Sequence, residues 1–115
     1  MGFKAVHFSG IDAQDVEAPG FKGVEVRWLI TKDDDATNFA MRLFKIKPGG
    51  RSAQHSHSWE HEVYVLEGQG LVFCEDDETR IGPGYVVFIP PDVPHYFRNV
   101  GDEPLRFLCL IPYKK

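Results

Sequence analysis

Turn-forming residues cut this chain into pieces too short for anything but strands. Eleven glycines and eight prolines fall among 115 residues, and no stretch between them sustains the period of an amphipathic helix. Residues 23–31 alternate, with Val24, Val26, Trp28 and Ile30 on one face and Glu25 and Arg27 on the other. A second strand is expected over 38–47, closed by Pro48-Gly49-Gly50, and a third over 61–67, closed by Gly68-Gln69-Gly70. Residues 71–75 should run into the acidic turn Asp76-Asp77-Glu78 and return over 79–81. Apolar or alternating runs over 84–89, 95–100 and 105–111 complete the set, and His7 falls in a strand expected near the N-terminus. Such regular spacing predicts an all-β antiparallel sandwich or barrel, and the length predicts one domain.

Charge and hydropathy remove several functions. Thirteen Lys and Arg against seventeen Asp and Glu leave a net charge of −4, so no nucleic-acid partner is expected. The longest apolar runs, 85–91 and 107–113, are too short to span a bilayer, so no membrane partner is expected. Residues 1–10 lack the apolar stretch of a secretory signal. Cys74 and Cys109 are therefore read as reduced thiols in a cytoplasmic protein. The acidic run Asp33-Asp34-Asp35 reads as solvated surface, because a calcium loop needs a longer pattern.

Histidines carry the chemical signal. Three of the five crowd into His55-Ser56-His57-Ser58-Trp59-Glu60-His61. The two-residue period of a strand would turn His55 and His57 the same way, and His61 has the same parity. Converging neutral imidazoles suit a first-row transition ion. Gly49, five residues, His55-x-His57, three residues, His61, six residues and Gly68 follow one another. Gly84, five residues, Pro90-Pro91-Asp92, two residues, His95, three residues and Asn99 come later. The two strings together resemble the paired motifs of the cupin superfamily. His61 stands where that family usually has Glu. Glu62 is one residue further on, but its parity would turn it to the opposite face. The chain is thus similar to small single-domain bacterial cupins with a four-histidine, manganese-binding site.

The resemblance implies a single jelly-roll barrel over residues 1–115, with a barrel core over about 39–111 and an N-terminal strand extension over 1–38. It implies His55, His57, His61 and His95 as metal ligands. It implies one divalent transition ion, manganese or iron, with zinc, nickel or copper as other occupants. A homodimer is expected, since an edge strand must be covered. The expected function is a metal-dependent oxygenase or oxidative-cleavage enzyme acting on a small organic molecule. The alternatives are a non-catalytic binding module for a small ligand or metal and an oxygen-independent isomerase or lyase.

Four residues are candidate pocket walls. Arg42 sits inside an apolar strand and is either a clamp for a substrate carboxylate or half of an ion pair with an acidic neighbour. Cys109 shares parity with Phe107 and Ile111 and is either a buried small hydrophobe or a thiol facing the cavity. Phe97 shares parity with His95 and is either pocket or core. Phe107 is placed beside it. Glu60 and Glu62 are either orienting acceptors for the imidazoles or residues of a solvated turn.

Overall fold

The computed structural model describes residues 2–113. Among these described residues nine strands form: β1 (Gln14–Asp15), β2 (Lys22–Ile30), β3 (Phe39–Arg51), β4 (His61–Glu67), β5 (Gly70–Cys74), β6 (Asp77–Ile81), β7 (Val86–Ile89), β8 (His95–Asn99) and β9 (Leu105–Pro112). They pair antiparallel in the order β6-β5-β8-β3-β9-β4-β7, with β2 on the free side of β3 and β1 on β2. The sheet curls until its inward residues meet. Val24, Ile46, Val63, Val65, Val72, Ile89, Phe97, Leu105 and Phe107 form one buried core. No helix among the described residues is long and apolar enough to cross a membrane.

The thirteen-residue β3 organises the whole. Its first half lies between β2 and β9, and its last residue, Arg51, pairs with Arg98 of β8. The sequence expectation ended this strand at Lys47, but the strand continues through Pro48-Gly49-Gly50. The glycines carry the strand from its pairing with β9 to its pairing with β8 instead of reversing it. A Cβ on Gly50 would sit 2.5 Å from the Lys22 carbonyl oxygen, so only glycine lets β2 pass this close. Two other boundaries shift. Asp77 pairs with Cys74 inside the β5–β6 hairpin, so the turn is Glu75-Asp76, with Glu75 at φ 59°. His7 is not in a strand: its ring accepts the Ser9 N–H and caps a short 3-10 turn over Phe8–Gly10.

Alternation in β4 fixes what faces in. His61, Val63 and Val65 are buried, while Glu62 and Tyr64 are exposed. The outer face of β4 and β7 is nonetheless apolar, with Tyr64, Val86 and Phe88 all exposed and Val86 opposite Tyr64.

Candidate metal centre

Main-chain pairing gathers the histidines. His55 and His95 form an isolated bridge, each amide donating to the other's carbonyl oxygen at 3.2 and 3.0 Å. The loop over 52–60 then folds back, and the Asp92 amide donates to the His57 carbonyl oxygen at 2.7 Å. The two-residue period of a continuous strand, expected from the sequence, does not bring His55 and His57 together. A bridge and a loop do. The His57 ring stacks on Trp59 at 4.1 Å with 6° between planes. Ring centroids of His55, His57 and His95 lie 4.8 to 5.1 Å apart.

One ring nitrogen from each of these three residues lies within 4.8 Å of the other two. Each ring donates its Nδ1–H to a main-chain carbonyl: His55 to Ala53 at 2.8 Å, His57 to Trp59 at 3.0 Å and His95 to Val93 at 3.0 Å. That leaves a bare lone pair on every Nε2, the form a transition ion requires. Imidazole nitrogens bind first-row ions at about 2.0–2.1 Å, so a slight inward movement of the rings would satisfy one ion. His55, His57 and His95 could therefore hold a metal. Glu60 and Glu62 are not the acceptors for these rings, since main-chain oxygens take that role.

His61 enters the cluster from β4. It is 7% exposed, and its Nε2 lies 2.9 Å from His57 Nε2. Its Nδ1 faces Arg42 at 3.4 Å and the Cys109 sulfur at 3.2 Å. Arg42 has only donors, so His61 Nδ1 accepts and His61 Nε2–H donates to His57. Burial first, and then the Arg42 charge, push the His61 pKa down to about 3. Burial also lowers the pKa of His57 and of His95.

These shifts set a pH dependence. The unfolded chain protonates its histidines near pH 6.5, whereas the folded rings stay neutral to lower pH. The unfolded state therefore binds more protons in this window, and stability falls as pH drops from about 6.5 toward 3. The melting temperature of metal-free protein, followed by calorimetry, should decline between pH 7 and 4.5. The decline should be smaller in His61→Asn.

Beside the rings lies a cavity of about 210 Å³. Phe21, Trp28, Phe44, Phe97 and Phe107 give it an aromatic wall, Val16, Val24, Val26 and Ile46 an aliphatic one, and Arg42, Ser52 and Cys109 its polar points. All four residues singled out from the sequence, Arg42, Phe97, Phe107 and Cys109, line it. Phe97, Phe107 and Cys109 are also part of the buried core. The acidic partner considered for Arg42 is absent: the ion pairs among the described residues are Lys4–Asp34 and Arg106–Glu67. Burial raises the Cys109 thiol pKa, with Arg42 opposing. The sequence reading missed Val16, Phe21, Trp28 and Phe44. Trp28 could have been found, because it shares a face with Val24 and Val26. Nothing local marks Val16 or Phe21. A second basin of about 320 Å³, lined by Asp15, Glu17, Glu25, Lys45 and Lys47, adjoins Val16 and Phe21. It contains no histidine.

Residues 42–111, more than half of the chain, match the cupin domain family. The chain is a cupin. The polyketide cyclase RemF from Streptomyces resistomycificus superposes with a TM-score of 0.92 at 36% identity, over 98% of this chain and 81% of that one. A Thermotoga maritima protein described as a predicted oxalate decarboxylase gives 0.86 at 28% identity, over 96% and 100%. The polyketide synthase CurC of Streptomyces cyaneus is 34% identical over 85% of this cupin and 65% of its own length. An uncharacterised Methanocaldococcus jannaschii protein is 36% identical over 53% of this cupin. The cupin spans about half of that archaeal relative and just under two thirds of CurC.

Proposed function

We propose that this cupin is a metal-dependent enzyme that cyclises, dehydrates or isomerises a small, ring-sized carbonyl compound of polyketide type. One observation carries the reading. A cluster of lone-pair imidazole nitrogens borders an apolar, aromatic-walled cavity of about 210 Å³. The cyclase and synthase names of RemF and CurC support the substrate type.

On this reading His55, His57 and His95 hold one divalent ion, and His61 joins as the fourth ligand by carrying its proton on Nδ1, toward the Cys109 sulfur, so that its Nε2 lone pair is free for the ion. Two nitrogens at right angles around an ion, each about 2.1 Å from it, stand about 3 Å apart. The 2.9 Å between His57 and His61 agrees with that spacing. Manganese or iron is the expected occupant, with zinc, nickel or copper as the others. When bound, the ion supplies a Lewis acid that draws electron density from a substrate oxygen. The carbonyls of Ala53, Trp59 and Val93 hold three rings in their working tautomer. The histidines are ligands and not proton carriers. Phe44, Phe97 and Phe107 exclude water and offer a flat substrate one aromatic wall.

An oxygenase or oxidative-cleavage enzyme is the second reading. It is favoured by the same apolar wall, which admits dioxygen, and by neutral ligands, which leave the ion's charge uncancelled. The test loads the protein with zinc, manganese or iron and offers aromatic, alkene and dicarbonyl compounds while following product and oxygen uptake. Turnover with zinc and no oxygen uptake is expected. Turnover confined to manganese or iron, with oxygen consumed, would replace the first reading by the second. Binding without turnover under every metal would make the barrel a binding module.

A further inference from the structure

Arg42 is a permanent charge that meets neutral partners, His61 Nδ1 at 3.4 Å among them, and no carboxylate among the described residues. Its guanidinium lies between two rings, with the central carbon 4.8 Å from the Phe44 centroid and 5.4 Å from that of Trp28. Its terminal nitrogen donates to the Cys109 sulfur at 3.0 Å. Its Nε is buried without a hydrogen-bond partner. Among the described residues no Asp or Glu lines the cavity. Among the described residues neither ion pair includes Arg42.

Aromatic faces soften such a charge but do not cancel it. A guanidinium cannot shed its proton to escape. An unpaired cation in apolar surroundings is costly, and so is a buried donor left empty. The wall around it is otherwise built for a flat hydrocarbon. Charge and shape thus make separate demands on whatever fills the space.

We propose that the missing anion is the ligand itself. The cavity takes a planar, mostly apolar organic anion whose carboxylate or enolate oxygen meets Arg42 while its ring system lies against the wall formed by Phe44, Phe107 and Phe97, whose own rings stack at 5.5 and 4.7 Å. This narrows the substrate class of the proposed function and rests on the same cavity, but it does not require a bound ion. A guanidinium matches two coplanar oxygens, or one oxygen with delocalised charge, better than it matches a neutral carbonyl. Arg42 is in this account a binding and orienting residue.

The test compares 2-naphthoate with the neutral 2-naphthamide, which has the same rings, and with acetate, which has the charge alone. Binding is measured by calorimetry on the full chain, freed of metal by a chelator and then again with zinc. Naphthoate should bind the metal-free protein at least about tenfold more tightly than naphthamide, as a charge-assisted hydrogen bond implies. Acetate should bind far more weakly than naphthoate. In Arg42→Met the preference should fall to near one while naphthamide binding persists, which shows that the cavity is intact. Arg42→Lys should keep part of the preference.

Equal binding of acid and amide by the unaltered protein would overturn the inference. So would a preference that survives Arg42→Met, or no binding of any probe. Acetate binding as strongly as naphthoate would reduce the site to a simple anion site and overturn the planar, apolar part. Naphthoate preference without turnover of any carbonyl compound would strike the proposed reaction alone. Turnover without that preference would strike this inference alone.

Discussion

His95→Ala is expected to abolish stoichiometric binding of a divalent ion. Substitution of residues that merely orient a metal ligand costs about 10–100-fold in affinity, so loss of the ligand itself should exceed about 100-fold. Elemental analysis and calorimetry would measure it directly. A second measurement is the shift in melting temperature on adding metal. An ion present at a hundred times its dissociation constant stabilises a fold by about 2.7 kcal/mol. His95→Ala should show almost none of that shift. The same loss is expected in His61→Ala, whereas Glu62→Ala should bind as the unaltered protein does, because Glu62 faces outward. Full binding by His61→Ala would reduce the centre to three histidines. Full binding by His95→Ala would remove the centre altogether.

The second large effect concerns stability. Asn99 is 3% exposed and makes three hydrogen bonds of 2.8 Å. Its amide donates to the carbonyls of Ile46 on β3 and Glu103 in the next turn, and its side-chain oxygen accepts the Gly101 N–H. Asn99→Ala strands the buried Ile46 carbonyl and leaves the half-buried Glu103 carbonyl and Gly101 amide without their partner. At about 1 kcal/mol each the cost is about 3 kcal/mol. For a chain of this size the melting temperature should fall by roughly 10–15 °C. The exposed neighbour change Asp102→Ala should stay within about 0.5 kcal/mol. A loss of under 1 kcal/mol in Asn99→Ala would show that water replaces the side chain. Asn99 closes the second sequence motif, and its bonds give a physical reason: it ties the strand of His95 to the strand of Arg42.

Much of the fold was legible because a strand exposes its period. Val63 and Val65 alternate with Glu62 and Tyr64, and β4 begins at His61, so parity correctly places His61 inward and Glu62 outward. Phe107 and Cys109 likewise share the inner face. Pro48-Gly49-Gly50 was misread because glycine and proline signal a break in direction without saying its size. Here they bend a strand where a turn was expected. The cavity was legible only in part. Val16 and Phe21 reach it through tertiary placement of the N-terminal segment, which leaves no periodic trace. The carbonyl acceptors for the imidazoles were invisible for a simpler reason. Every residue carries a main-chain oxygen, so residue identity cannot mark the ones in use.

The amides and carbonyls that pair His55 with His95 separate two jobs that many sites mix. Because peptide groups set the distance between those rings, side chains elsewhere around the chamber are free to vary without disturbing it. Exchanging Val26, Phe44 or Trp28 for smaller or larger neighbours would reshape the cavity and leave the histidine cluster as it was. A scaffold arranged this way can change the shape of its cavity one wall residue at a time.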